Sequence, residues 1–471
     1  MALYGKRGVM LDLARNMERK RYYFGLLPQL AAWGYNLVHL HLTDDQGCAL
    51  EFPSHPELAT KHAFTVEEMK RFVAEADALG IEVVVEIEAL GHTRFITENR
   101  RYRALGEKSE HRAGFHAICP SHPQTRVILR DLVRDAAEIF PSPILHAGLD
   151  EVQFGKCPRC RRRFGKKADW QKFAEHAAWV HAEIRRAGKR PAMWGDHILH
   201  DRGMIGRFKK DVLIFDWHYE PSFPPSTVEF FLDHGHEVLA APATVCWRTR
   251  VHPNEENLAN LRTAAARLVG LRRRGLLGLV NTVWCPHRNL PGAIDYGLAL
   301  AGHLFTERAE SPEFPERFAR EFYGLRSGRA AGGAIARLHA LALSRELVET
   351  IACGGWNKLR FNREDARLAA AAEPPLAEVV AALKRVQRSV RRNAGRFGDV
   401  VLSAEILLAL ARFGVAGRRR AAARPFARLY ARALGAWKRN RWPDDPCRFG
   451  AKEHNSRQSL LYLLRTLARR A

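Results

Sequence analysis

The feature that most constrains this chain is an alternation. From Gly8 onward a short apolar run, a turn and a helical stretch follow one another again and again. The apolar runs predict strands over 8–15, 36–44, 81–88, 144–151, 191–196, 212–217, 237–242 and 278–284. Helices are predicted over 19–33, 127–140, 169–188, 257–274 and 295–306. One more starts at Thr65, where Thr65 and Glu68 carry a capping-box pattern. Strands that alternate with helices favour a parallel sheet, because a parallel neighbour is reached only by a crossover long enough to hold a helix. Eight such units in about 300 residues are the count and size of a (β/α)8 TIM barrel. An open doubly wound sheet is the structural rival, and the glycine-rich phosphate loop that usually follows its first strand is missing here. The expected fold class is therefore α/β, a (β/α)8 barrel over 1–310 followed by a C-terminal all-helical domain over 311–471. Within the second part, helices are expected over 336–351, 375–393, 400–412, 422–439 and 459–470, punctuated by Gly354-Gly355, Pro374-Pro375 and Pro443.

The charge balance needs an account. The chain holds 75 Lys and Arg against 51 Asp and Glu, a net charge of +24, which raises nucleic acid as a partner. The excess is concentrated at Arg161-Arg-Arg163, Arg272-Arg-Arg274, Arg391-Arg392 and Arg418-Arg-Arg420, mostly on amphipathic stretches. No zinc-finger spacing, RNA-binding aromatic signature or basic tail accompanies them, so solvated helix faces are expected and nucleic acid is not. Arg7, Asp12 and Arg15 interrupt the first residues, no apolar run approaches membrane-spanning length, and eight cysteines are too sparse for a disulfide scaffold. A cytoplasmic protein with no membrane partner is expected. Cys157-Pro-Arg-Cys160 is half of a zinc-ribbon spacing, but no second Cys-x-x-Cys exists. A spare thiol pair shaping the loop after Glu151 is the expectation, with no metal and no cofactor.

Chemistry in such a barrel lies at the C-terminal ends of the strands. In order, those ends offer Arg15, then His41 with Asp44 and Asp45, Glu88 with His92, and Asp150 with Glu151. Trp194 with Asp196, Trp217 with Tyr219, Trp247 and Trp284 complete the ring. In 144–151 strand alternation would put His146, Gly148 and Asp150 on one face, with Glu151 at the strand end. Two carboxylates at the mouth of a buried sheet are costly to desolvate, which points to chemistry rather than to an exposed acidic turn. One tryptophan at a strand end is ordinary core; four on different strands suit the apolar C–H faces of a sugar, with charged groups to fix its hydroxyls. His39-x-His41 raises a metal-dependent amidohydrolase barrel, but that pattern belongs on the first strand, with further His ligands on later strands and often a bridging lysine on the fourth; here it lies on the second strand and the fourth carries no lysine.

These residues carry a resemblance. Arg7-Gly-Val-Met-Leu-Asp-Leu-Ala-Arg15, His39-Leu-His-Leu-Thr-Asp-Asp-Gln-Gly47, Glu86-Ile-Glu-Ala-Leu-Gly-His-Thr93, Cys119-Pro-Ser-His-Pro123, His146-Ala-Gly-Leu-Asp-Glu151 and Met193-Trp-Gly-Asp196 occur in the order found in the glycoside hydrolase family 20 β-N-acetylhexosaminidases. The chain is most similar to the compact, hexosaminidase D-like branch, since its first strand begins close to Met1 and the extra N-terminal domain of many relatives is expected to be absent. The resemblance implies retaining hydrolysis of terminal β-linked N-acetylglucosamine or N-acetylgalactosamine from glycans, with the sugar's own 2-acetamido group as nucleophile. It assigns Asp150 to orienting that group and Glu151 to general acid and base. Asp44 and His92 match a relay that positions the acid, and Arg15 matches the arginine on the sugar's outer hydroxyls. Trp194, Trp217 and Trp284 match walls of the acetamido pocket, with Tyr219 donating to the acetamido oxygen. Trp284-Cys-Pro-His-Arg288 departs from the family's tryptophan-plus-acid ending, which bears on gluco against galacto selectivity. Ala89-Leu90 replaces the commoner proline-containing turn before Gly91-His92. A glycan-binding barrel that has lost turnover is the alternative from another class.

Overall fold

The computed structural model describes residues 2–107, 117–155, 157–307, 310–352, 360–442 and 458–470. Eight parallel strands close into a barrel. They are β1 Lys6–Asp12, β2 Leu37–His41, β3 Glu82–Glu86, β4 Ile144–His146, β5 Arg190–Trp194, β6 Leu213–Trp217, β7 Val238–Ala241 and β8 Leu276–Val283. Each pairs with the next, and β1 closes the ring against β8 with Lys6 opposite Gly278 and Leu11 opposite Val283. A short segment, Ala243–Val245, extends the seventh position along β8.

The strands are buried on both faces, which is why they read as unbroken apolar runs such as Val83-Val84-Val85 and Leu213-Ile214-Phe215. Alternation divides them. Val9, Leu40 and Val85 join the large core between the barrel and its helices, whereas Met10, Leu37, Val84, Phe215 and Val280 pack inside the barrel. Two helices match the sequence closely: Thr65 and Glu68 form the expected reciprocal cap on Val66–Asp77, and Asp295–Thr306 has the predicted bounds; the helix predicted over 127–140 starts earlier, at Pro123, and the one predicted over 257–274 ends at Arg267.

Beyond Thr306 the regular structure of the described residues is helical, over Phe314–Tyr323, Arg329–Leu341, Arg345–Ala352, Arg363–Gln387, Ala394–Val415, Pro425–Asn440 and Leu460–Ala468. Two expectations are corrected. The helix predicted over 336–351 is two, broken between Leu341 and Arg345. The helix predicted over 375–393 begins instead at Arg363, and Pro374-Pro375 lies inside Arg363–Gln387. Pro374 is exposed, so carbonyls left without an amide partner face water, while Leu376, Val379, Val380 and Leu383 bury the opposite face. Gly354-Gly355 and Pro443 lie outside the described residues.

The helices grip the rim of the barrel. Buried Arg441 donates to Glu18 Oε1 (2.8 Å), Asn289 O and Pro286 O (both 2.7 Å), tying the loops after β1 and β8 together. Arg396 pairs with Asp295, and Arg250 with Glu349 at 3.2 Å. No helix among the described residues is long and apolar enough to cross a membrane.

Candidate active site

The octapeptide 144–151 is not a strand to its end. β4 stops at His146, although Ala147 N–H still donates to Ala192 O (2.8 Å) and Trp194 N–H to Gly148 O (3.2 Å). Then the backbone turns: Gly148, Leu149 and Glu151 all have positive φ, at 62°, 74° and 48°. The expected alternation of His146, Gly148 and Asp150 therefore fails beyond the strand. Gly148 shows the reason. A Cβ there would sit 2.1 Å from Glu88 Oε2, so the chain passes Glu88 only as glycine, in a left-handed turn. Strain of this kind, here at Leu149 and Glu151, is held where surrounding contacts over-determine it. Glu151 N–H donates to Asp196 Oδ2 (3.0 Å), and Val152 N–H to His197 Nε2 (2.7 Å).

The turn sends the two carboxylates to different surroundings. The Asp150 side chain is 11% exposed and that of Glu151 43%. Both face His92, whose Nε2 lies 3.3 Å from Glu151 Oε2 and 3.6 Å from Asp150 Oδ2. On its other side, His92 Nδ1 lies 3.3 Å from Asp44 Oδ1. Asp44 also takes Arg15 (2.7 Å) and His41 Nε2 (2.8 Å), and His41 Nδ1 meets Glu86 Oε2 at 2.8 Å. Glu86, His41, Asp44, His92 and Glu151 thus form one line of alternating charge running from the barrel floor to the mouth.

The protonation pattern follows from that line. Burial works against a charged His41, but Glu86 and the Asp44 hydrogen bond outweigh it and raise His41 to about 10. His92 is likewise held well above its ordinary value, burial being outweighed by Asp44 and Asp150. Asp44 stays well below the carboxylate range, because Arg15 and His92 overcome its desolvation. Burial pushes Asp150 up to about 6, with His92 opposing and Asp196 and Glu151 reinforcing. Burial likewise raises Asp196 to about 6 and Asp45 to about 7. Glu151 goes the other way. Desolvation raises it, but the hydrogen bond and charge of His92 and the charge of Arg15 leave it below its ordinary value. These partners hold Glu151 on the ionised side, opposite to the raised pKa a general acid needs. Glu88 is driven well above the usual range, first by burial and then by Asp150 and Glu86, so it is an uncharged acid.

On the far side the site is aromatic. Trp217 stacks on Tyr219 with centroids 5.0 Å apart, and Trp284 Nε1 donates to the Tyr219 hydroxyl at 2.6 Å. The Arg15 guanidinium lies 4.9 Å from the Trp284 ring centre, which joins the aromatic wall to the charged line. Trp194 lies deeper, fully buried, with its Nε1 donating to Glu86 Oε1 at 2.5 Å. It is a floor residue beneath the other rings. Trp247 does not join them; it is 45% exposed beside Arg248. Cys285, next to Trp284, takes φ 54° and donates its N–H to Asp12 Oδ2, which also holds Arg15.

His39 and His146 pack against Trp194 and Phe215 in the barrel floor. They approach Glu86, as metal ligands could. Yet both ring nitrogens of His41 are engaged by carboxylates, and His146 Nδ1 accepts from Gly148 N–H (3.1 Å). Sequence reading passed over Glu86, the hub of this floor. Its signal was an acid two positions before Glu88, on the inward parity of a valine run.

The comparisons agree with the geometry. The model of the family described as glycosyl hydrolase family 20, catalytic domain, matches residues 4–266. A β-hexosaminidase of Akkermansia muciniphila is 25% identical over 276 residues, covering 52% of this chain and 53% of its own length. A β-N-acetylhexosaminidase of Cellulomonas fimi is 29% identical over 209 residues, covering 41% of this chain and 39% of its own. The chain thus spans about half the length, or less, of the curated relatives it matches. Among solved structures, an exo-β-N-acetylglucosaminidase of Vibrio harveyi superposes with a TM-score of 0.56 at 23% identity, over 67% of this chain and 56% of that one. The N-acetyl-β-hexosaminidase of Streptomyces plicatus gives 0.53 at 20% identity, over 71% and 69%. At these identities the superpositions speak for the fold, whereas the family model covers more than half of the residues and runs through the turn that carries Asp150 and Glu151. This chain belongs to glycosyl hydrolase family 20.

Proposed function

We propose that this protein is a β-N-acetylhexosaminidase that removes terminal β-linked N-acetylglucosamine or N-acetylgalactosamine with retention, the substrate's 2-acetamido oxygen acting as nucleophile. One observation carries the reading: two adjacent carboxylates share one buried imidazolium, yet one is enclosed and the other half-open. Asp150, enclosed, suits the acetamido N–H, whose developing positive charge a fixed carboxylate offsets. Glu151, open to the mouth, suits the leaving oxygen and then the attacking water. In this reading the carbonyl oxygen forms a bond to the anomeric carbon as the glycosidic bond breaks, and Glu151 gives its proton to the departing oxygen. Water then opens the cyclic intermediate, returning a proton to Glu151.

The resting pKa of Glu151 fits that cycle once the sugar is bound. An occupied mouth removes water from its carboxyl and so raises its pKa toward what an acid needs. Asp44, Arg15 and His92 keep their charges through neutral pH and hold the acid in place. The Tyr219 hydroxyl, accepting from Trp284, keeps its own proton to donate to the acetamido oxygen, while Trp217 and Trp284 offer ring faces to the sugar.

We assign the basic excess to solvated helix faces rather than to nucleic acid. The cytoplasm is the proposed location, in keeping with eight cysteines too sparse for a disulfide scaffold. We keep 1–310 and 311–471 as barrel and helical domain, the latter bracing the rim through Arg441.

A chromogenic N-acetyl-β-glucosaminide tests the reading with wild type, Glu151→Gln and Asp150→Asn. Equal turnover by all three would overturn it. A matching glycoside without the 2-acetamido group should be a poor substrate; efficient cleavage would remove the substrate's part in catalysis.

A further inference from the structure

The half-motif Cys157-Pro-Arg-Cys160 lacked partners in the sequence, and the fold supplies them. Cys119 Sγ lies 3.5 Å from both Cys157 Sγ and Cys160 Sγ, and Cys160 Sγ lies 3.2 Å from Glu107 Oε2. One donor atom from each of these four residues falls within 4.8 Å of the others, and all four residues are buried. Cys157 caps the helix Pro158–Phe164, so its first turn presents Cys157 and Cys160 to one side. Cys157 N–H donates to Glu107 Oε1 (3.2 Å), which turns the other carboxylate oxygen to the thiols. Arg163 of the same helix spends its donors on Pro120 O (2.8 Å) and Glu175 (2.6 Å).

From this geometry we propose that Cys119, Cys157, Cys160 and Glu107 bind a structural zinc ion. Four zinc ligands with Zn–S near 2.3 Å set tetrahedral S···S distances of about 3.7 Å. A disulfide needs about 2.05 Å, and three thiols cannot pair without leaving one over. Three soft sulfurs with one carboxylate oxygen suit zinc better than calcium or magnesium, which prefer oxygen alone. Binding converts each thiol to thiolate and releases three protons, while the dication meets the four negative ligands.

The site would join two loops of the barrel mouth. Glu107 and Cys119 end the excursion after β3, which is held to the His92 loop by Ile118 N–H donating to Leu90 O (2.9 Å). Cys157 follows Glu151 by six residues. Zinc here would fix the spacing between the loop of His92 and that of Glu151, whatever reaction those residues perform.

Elemental analysis of the tag-free full chain, purified with reductant and dialysed against micromolar zinc, should give about one zinc per chain. A mercurial that blocks thiols should release it stoichiometrically. Cys119→Ser and Glu107→Gln should lose or weaken the metal. Cobalt in place of zinc should show thiolate-to-cobalt charge transfer, a readout on the wild-type fold that stands even if the cysteine variants fail to fold. Metal-free wild type with three titratable thiols would overturn the proposal. So would a mass two hydrogens low with a disulfide among these cysteines, zinc retained by Cys119→Ser, or a cobalt spectrum without thiolate bands.

Discussion

The two sides of the barrel mouth are built on opposite physics. From β1 to β4 the site is a chain of buried charges, Glu86, His41, Asp44, Arg15 and His92, each held by a partner at about hydrogen-bond distance. From β6 to β8 it is a wall of rings, Trp217, Tyr219 and Trp284, with one internal hydrogen bond. Charges in a low-dielectric interior are directional and costly to leave unpaired, so they fix position. Rings contribute area and tolerate small displacements. The charged side should therefore govern rate and the aromatic side affinity.

The largest test of that division is Glu151→Gln, for which kcat should fall by about 10^2–10^4-fold with KM little changed, as for loss of a general acid. Steady-state kinetics in which KM absorbs the loss would erase the distinction. Next comes the turn that separates the two carboxylates. Gly148→Ala brings a Cβ 2.1 Å from Glu88 Oε2 in a left-handed backbone and should cost about 2–4 kcal/mol in denaturant unfolding. Gly80→Ala, also at positive φ but with nothing within 4 Å, should cost only about 1 kcal/mol, separating crowding from backbone strain. On the aromatic side Trp217→Ala should raise KM by about tenfold and leave kcat within a few-fold, the effect of losing one apolar face.

Two smaller effects are read along the pH axis. Asp150, raised to about 6, sets an acidic limb on kcat/KM, with activity falling as it is protonated. Because the His92 charge pulls that carboxyl down, His92→Asn should move the limb to higher pH; a limb that stays or falls would detach His92 from Asp150. His41 is raised from 6.5 to about 10, so its ion pairs stabilise the fold fully below about 6.5 and are lost as pH climbs through 10. Melting temperature across that window should fall more steeply in wild type than in His41→Asn.

Legibility followed the same line. Asp44, His92, Asp150 and Glu151 stood in dense motifs on consecutive strands, and the fold draws them together. Pro374-Pro375 read as a break because local propensity cannot see the buried face of Leu376, Val379 and Leu383 that carries the helix past it. Trp247 looked like its ring-bearing neighbours because strand-end counting cannot tell an inward side chain from an outward one. Cys119 and Glu107 were out of reach for a plainer reason: their link to Cys157 and Cys160 is purely spatial.

By itself, then, the sequence determined the eightfold alternation, the closed parallel barrel and the strand ends at which reactive side chains would gather, since all three rest on short-range periodicity and chain connectivity. Tertiary structure alone decided which carboxylate is enclosed and which is open. That choice depends on a left-handed turn at Gly148, imposed by Glu88 at the end of the neighbouring strand, and on a histidine from that same loop whose charge reaches both acids. Protonation is set by burial and by charges a few ångströms away, and neither is a property of the residues next in line.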